Sequence, residues 1–464
     1  MWGRLNFGPG SGSDEPVLSI TDARSIVVAL ALAAPLLGAC AGEEEGFAPC
    51  DVRGADCQAR IFRAVVALRG GGDMPMPKIS VVDEAGLMAH WMADTEEQSP
   101  EEEAAAERAY AQWNRGLSLF GLAPAMYDAQ QATQDQIREI AGIYDTESKA
   151  ILIVDRGDAI DSDAAVLSLA HEFVHALQDA QHDLAAFQER WGDSFDAALA
   201  TASIIEGEAV MYQLLASAEL RGLDVQKLAW QRFFDEFRGD VLREAEIDRV
   251  PLTMARLRFP YAFGGGFVTQ HWLARGPAGI DALFAEPPLT THAVMFGSVH
   301  GTVTPDQVRV REGGVPMLDP GFEEVASTAL GAWIQRIFAA RMGTPIQRRG
   351  EAARALRADW FSVQADGTDR VVAAWRERGG LAVSALDWPG RNHAAIEFSH
   401  DPALSDYYLV AGDLPEDFQL GALAWRMPAT EGDDEGDMTA ALRDAHPSWL
   451  RAIPCRGVLP RVGE

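Results

Sequence analysis

The sequence predicts an α+β protein in which helices carry the chemistry and short strands frame it. Three observations point that way. Apolar residues recur at three- and four-residue spacing over 61–68, 101–120, 163–177 and 194–220, which is the helical period. Alternating or β-branched runs at 78–82, 142–154, 358–363, 370–375 and 381–386 are short and bounded by turn residues, as strands are. Finally, 48% of the 464 residues are apolar, which is enough for a sizeable core and argues against disorder.

At the N-terminus, the apolar run 26–37 follows Arg24 and ends in Leu37-Gly38-Ala39-Cys40. The run falls short of the ~20 residues of a permanent span, so 1–39 is expected to be a signal peptide. Leu-Gly-Ala-Cys has the form of a bacterial lipobox, which predicts lipidation of Cys40 and attachment to the cell envelope; a plain cleaved signal is the alternative. Residues 40–58, with Glu43-Glu44-Glu45, are expected to be a tether. Folding is then expected from Ala59, with one domain over 59–300 and a smaller α/β region over 301–464.

The 69 acidic and 39 basic residues give a net charge of −30, spread along the chain. Such a surface repels phosphate backbones, so nucleic acid is not an expected partner. With Cys40 lipidated, Cys50, Cys57 and Cys455 remain: one disulfide and one free thiol, with Cys50–Cys57 the local pairing and a bridge to Cys455 the other. There is no Cys-x-x-Cys, which disfavours a thiolate metal site.

The runs either side of residues 145–149 predict a hairpin over 142–154, directly before a helix capped by Asp161, Ser162 or Asp163. That helix carries His171-Glu172-Phe173-Val174-His175. Residues four apart lie on one helix face, so the two imidazoles can share one ion. Glu172, about 100° round the helix, can reach a water at that ion without ligating it, which is the place of a general base. Histidines that merely hydrogen-bond in a core would give the same spacing; the buried pattern and the export signal favour the metal. The expected metal is zinc.

A catalytic zinc needs a third protein ligand. Gln178 and Gln181 stand where one class of such sites needs Gly and His, and His182 lies roughly 10 Å along a continuous helix from His175. Glu206, thirty-one residues after His175, can return over the histidines from the next helix, 194–220. Glu208 lies about 200° away from Glu206, so only one of them can face the metal. Gly207 costs helix stability and so predicts close packing. Residues 259–267 are expected to break the helical pattern, Pro287-Pro288 to mark a loop, and a helix to run from 325 through Trp333 and Phe338. Asp179 is a candidate to orient a histidine, and Tyr261, His271, His292 and Tyr212 are candidate oxyanion donors, Tyr261 first. The hairpin is expected to offer an edge strand to an extended peptide.

The order Gly142-Ile143-Tyr144-Asp145, His171-Glu172-Phe173-Val174-His175-Ala176-Leu177-Gln178-Asp179, Ile205-Glu206-Gly207-Glu208-Ala209 and Phe259-Pro260-Tyr261 resembles a group of little-characterised bacterial zinc metallopeptidases. The likeness continues through 281–291 and Asp359-Trp360 with Asp369-Arg370, and covers 60–400 in outline. Only the zinc motif is highly specific. The resemblance implies a zincin-like, gluzincin-type core with His171, His175 and Glu206 as zinc ligands, Glu172 as catalytic acid/base, and a peptide or protein as substrate. His292 departs from it, standing where an acidic residue is usual, and the C-terminal block is eroded over 361–366. A lipoprotein that keeps this fold without catalysis, as an envelope binding or assembly factor, is the alternative.

Overall fold

The structure, a computed structural model, describes residues 4–6, 19–22, 26–30 and 50–412, the last span without 71, 94–98, 125–126, 158–161, 225–227, 249, 251, 298–304, 316, 319–320, 368–369, 379–392 and 399–405. Cys40, Cys455 and the expected strand at 381–386 lie outside the described residues. Among the described residues, no helix is long and apolar enough to cross a membrane.

Three short strands come first: β1 (Arg4–Asn6) and β2 (Ser19–Asp22), which pair with each other, and β3 (Ile26–Leu30). A disulfide joins Cys50 to Cys57, the local one of the pairings left open above, and Cys57 sits in the first turn of α1 (Ala55–Arg69). The body therefore starts ahead of Ala59. Cys57, Ile61, Val65 and Arg69, each four apart, form the single buried stripe of α1.

Next come β4 (Lys78–Val82), α2 (Glu84–Ala93), α3 (Pro100–Leu119) and α4 (Ala129–Glu139). Ser99 and Glu102 cap α3 reciprocally and Pro100 opens its first turn, so the start is written locally. The hairpin forms as expected, from β5 (Ile140–Asp145) and β6 (Ala150–Val154). The Asp145 carboxylate accepts from the Glu147 amide and the Ser148 hydroxyl to close its turn.

The hairpin is not an edge, however. The sheet order is β3-β5-β6-β4, with β4 parallel to β6 and the other pairs antiparallel. Both free sides of the hairpin are taken by segments distant in sequence, and one of them, β3, lies inside the stretch read as a signal peptide.

Four helices then build the centre of the molecule: α5 (Asp163–His182), α6 (Leu184–Trp191), α7 (Phe195–Leu220) and α8 (Trp230–Arg243). Ser162 caps α5 and Ser194 caps α7, each accepting from the amide three residues on. Every residue of α5 from Ala165 to Asp179 is buried, and α5 packs against α1, α7 and β5. Asp183, at φ 49°, ends α5 and caps α6.

After a wide turn at Glu244–Asp248, α9 (Leu252–Phe259) passes through a second wide turn, Pro260–Gly264, directly into α10 (Gly265–Arg275). The expected break at 259–267 is thus a bulge within a continuous helical path. Pro260 has no N–H for the usual ladder, and a π-type turn absorbs the loss without ending the helix.

Then come α11 (Pro277–Ala285), the Pro287-Pro288 loop, α12 (Thr291–Phe296), α13 (Pro305–Gly313), β7 (Glu323–Thr328), α14 (Gly331–Arg341) and α15 (Ile346–Ala355). The helix expected from 325 therefore starts at Gly331, because 323–328 pair as a strand. The last strands, β8 (Ala358–Ala365), β9 (Val371–Arg378), β10 (His393–Phe398) and β11 (Asp406–Gly412), join β7 in an antiparallel sheet of order β10-β11-β9-β8-β7.

One hydrophobic core runs through both sides of residue 300, joining Phe173, Ile204 and Tyr212 to Trp333, Phe361 and Trp375. The first turn of α7 is tied to the segment between β7 and α14: the Phe195 amide donates to the Thr328 hydroxyl at 2.8 Å and the Asp196 amide to the Ala329 carbonyl at 3.0 Å.

Candidate metal centre

The His171 and His175 rings lie on one face of α5, edge to face with centroids 4.5 Å apart. From α7, Glu206 meets both: its Oε2 is 3.0 Å from His171 Nε2 and 3.5 Å from His175 Nε2. The three residues are buried, and their ligand atoms lie within 4.8 Å of one another, a group that could hold a metal ion. The exposures, 1%, 0% and 8%, exclude a solvated acidic turn at Glu206.

The opposite nitrogens are committed elsewhere. His171 Nδ1 is 2.8 Å from Gln213 Oε1, and His175 Nδ1 is 2.7 Å from Gln178 Oε1. An amide oxygen only accepts, so each Nδ1 is placed to donate, and each Nε2 is the nitrogen turned toward Glu206 and open to serve as a ligand. His175 Nε2 is buried with no hydrogen-bond partner among the described residues. A buried acceptor left that way is costly in a metal-free protein and is the donor a cation needs. The residues present therefore fit a metal.

The electrostatics agree. Burial, followed by the neighbouring His175, holds His171 below its ordinary value, which favours the neutral ring. Burial alone would raise Glu206, but the two histidines outweigh it and hold the carboxyl at about 2, so it is ionised. A neutral imidazole at His171 and a carboxylate at Glu206 are the ligand-ready forms of those two groups.

Glu172 is fully buried, on the hairpin side of α5. A Cβ at Gly142 of β5 would lie 3.1 Å from its Oε1 and 3.2 Å from its Cγ, so the glycine leaves the room that this side chain occupies. Tyr261, in the wide turn Pro260–Gly264, stacks on His171 with centroids 5.6 Å apart. Burial and the Glu206 and Glu172 carboxylates push its phenol well above the ordinary value. It is therefore held as a donor.

The other sequence candidates lie elsewhere. Glu208 faces away from Glu206 and pairs with Arg69 at 2.8 Å. Asp179 does not touch a histidine: it accepts from Tyr144 Oη at 2.8 Å and Lys149 Nζ at 2.6 Å, tying the hairpin to α5. Being four residues from His175 put it on the right face of α5, but the hairpin claims it. His182 ends the unbroken α5 and stacks on Phe284, His271 packs on Phe267, His292 bonds the Arg354 carbonyl, and Tyr212 is buried near Glu208 and Arg69.

Gln178 and Gln213 were missed by sequence reasoning. Their signals were present: Gln178 is three residues after His175, and Gln213 is seven, two turns, after Glu206. Compared with family models, with curated proteins and with solved structures, the chain matches none.

Proposed function

We propose that this chain is a zinc-dependent metallopeptidase of the cell envelope, exported and held there by lipid on Cys40, with His171, His175 and Glu206 as the zinc ligands. The observation that carries the reading is the convergence of two buried Nε2 atoms and one ionised carboxylate, with Glu172 buried on the same helix beside His171. A helix bearing both histidines, a strand hairpin beside it and a second helix returning the Glu also support a zincin-like core.

Zinc bound there would supply Lewis acidity toward a water and toward the carbonyl of the bond to be cut. Glu172 takes the proton of the attacking water and delivers it to the leaving amine nitrogen as the C–N bond breaks. Tyr261, held as a phenol, donates a hydrogen bond to the oxygen on which negative charge develops. Gln178 and Gln213 hold the imidazoles in the tautomer that leaves Nε2 free.

An extended peptide would pair with β5, the strand beside Glu172. That side is taken by β3 in the full chain, and export cleavage before Cys40 would release it.

The test is zinc content of the purified chain and cleavage of an unbiased peptide library by wild type and Glu172→Gln. Bound zinc in both, with cleavage lost ~10²–10⁴-fold in the variant, is expected. Equal cleavage by the two would sink the mechanism, and stoichiometric zinc without cleavage would favour a non-catalytic envelope factor.

A further inference from the structure

Behind His175, away from Glu206, a buried chain of polar groups continues from Gln178 to α1. Gln178 Oε1 accepts from His175 Nδ1 at 2.7 Å, and Gln178 Nε2 donates to the Ile205 carbonyl and to Glu208 Oε2, both at 2.8 Å. Arg69 of α1 donates to Glu208 through Nε at 2.8 Å and through Nη2 at 3.3 Å. Its Nη1 donates to Gln181 Oε1 at 2.7 Å. Gln178 and His175 are fully buried, Glu208 is 1% exposed and Arg69 8%.

A glutamine amide can face a partner with either end, and the choice decides which imidazole nitrogen carries the proton. Here the choice is made from behind. The two N–H bonds of Gln178 point at a carbonyl and a carboxylate, neither of which can donate, so a flipped amide would set oxygen against oxygen twice. With the amide locked, only Oε1 can face His175. Nδ1 must then carry a proton, and Nε2 is the nitrogen turned to Glu206.

Glu208 does this from a buried position, where a carboxylate without partners is costly. The Arg69 guanidinium offsets that cost through two hydrogen bonds. We infer that Arg69, Glu208 and Gln178 form a positioning relay that fixes the tautomer of His175 and so sets the metal affinity of the centre, making α1 a working part of it. This rests on the metal-site reading above. It also gives the second Glu of Ile205-Glu206-Gly207-Glu208-Ala209 a role distinct from the first.

The test uses the full chain with ¹⁵N-labelled histidine, reading the tautomer from long-range ¹H–¹⁵N spectra of the metal-free protein and zinc affinity by chelator competition. Wild type is expected to show His175 as the Nδ1–H form. Gln178→Met, similar in size but unable to accept strongly, is expected to lose that form and to bind zinc ~10–100-fold more weakly. The exchange Gln178→Glu with Glu208→Gln keeps one carboxylate and one guanidinium in the cluster and restores an acceptor to His175. It is expected to recover part of the affinity, the bond to the Ile205 carbonyl being lost, which a merely structural role would not predict.

Wild-type tautomer and affinity in a folded Gln178→Met protein would overturn the inference. Should that variant not fold, Glu208→Gln decides: whichever way its amide turns, its nitrogen faces a donor of Arg69 or of Gln178, so zinc binding should weaken, and wild-type affinity would overturn the relay. A wild-type chain that binds no zinc would refute the metal site itself, while the tautomer comparison would still judge the relay.

Discussion

Gly207 lies between the two glutamates of α7, and replacing it with Ala tests how tightly the centre is built. A Cβ there would lie 2.5 Å from both the carbonyl carbon and oxygen of Gly264 and 2.9 Å from the Gly265 nitrogen. All three are backbone atoms, so no side chain can swing aside. Ordinary Cβ contacts begin near 3.4 Å, and 3.4 − 2.5 leaves about 0.9 Å that α7 and the turn Pro260–Gly264 must open between them. Overpacking of this kind costs roughly 3 kcal/mol at the upper end of its usual range, against about 1 kcal/mol gained from replacing a helical Gly. The expected net loss is about 2 kcal/mol.

Because the displaced turn carries Tyr261, which stacks on His171, zinc affinity should fall as well. Urea unfolding followed by circular dichroism reads the first effect, with an unchanged m-value, and chelator competition the second. Gly239→Ala, on α8 with nothing within 4 Å of the new methyl, is the control and should be neutral or stabilising. A Gly207→Ala protein as stable as wild type, or gaining as much as the control, would refute the close-packed crossing.

Gly142→Ala should cut turnover while leaving zinc affinity unchanged, since its methyl meets Glu172 and Ile153 and none of the metal ligands; equal loss of both would place the effect elsewhere. Full-length chain should cleave peptides more slowly than a chain lacking residues 1–39, because β3 covers β5; equal kcat/KM for the two would remove β5 as the substrate strand. A third prediction concerns pH and the buried acids Asp196, Asp359 and Glu377. Burial first, with Asp359 adding to the other two, raises Asp196 to about 7, Asp359 to about 6 and Glu377 to about 8. Asp359 and Glu377 face each other directly across β8 and β9, which sharpens the repulsion. The fold keeps protons that the unfolded chain releases from about pH 4 upward, so stability should fall as pH rises from 5 to 8, by about 1.4 kcal/mol per pH unit for each group within its own interval. Glu377→Gln should flatten that slope in urea titrations; an unchanged slope would mean that Glu377 is charged in the fold.

Much of the centre could be read from local sequence because its geometry is helical. The spacing of His171, Glu172 and His175 sets their directions on any α-helix, Ser162 and Ser194 mark where α5 and α7 start, and the expense of Gly207 within a helix announced the close contact with Gly264. Glu206 was chosen over Glu208 from their opposed directions and a motif, and α7 turns Glu206 to the histidines and Glu208 to Arg69. The hairpin was legible from its alternation, but not what flanks it.

Long-range choices are of another kind. Strand pairing is written in backbone groups that every residue shares, so nothing in 26–30 or 78–82 announced that these segments would flank the hairpin. Asp179 and Gln178 are adjacent and equally able to bond an imidazole, and only the arrival of Tyr144 and Lys149 on one side and Glu208 on the other decided between them. What the sequence by itself determined is the direction of each donor on its own helix, since 3.6 residues per turn is a property of any α-helix. What only the tertiary structure decided is which buried group meets which, because that depends on where separate elements come to rest and on which polar atoms are then left to satisfy one another.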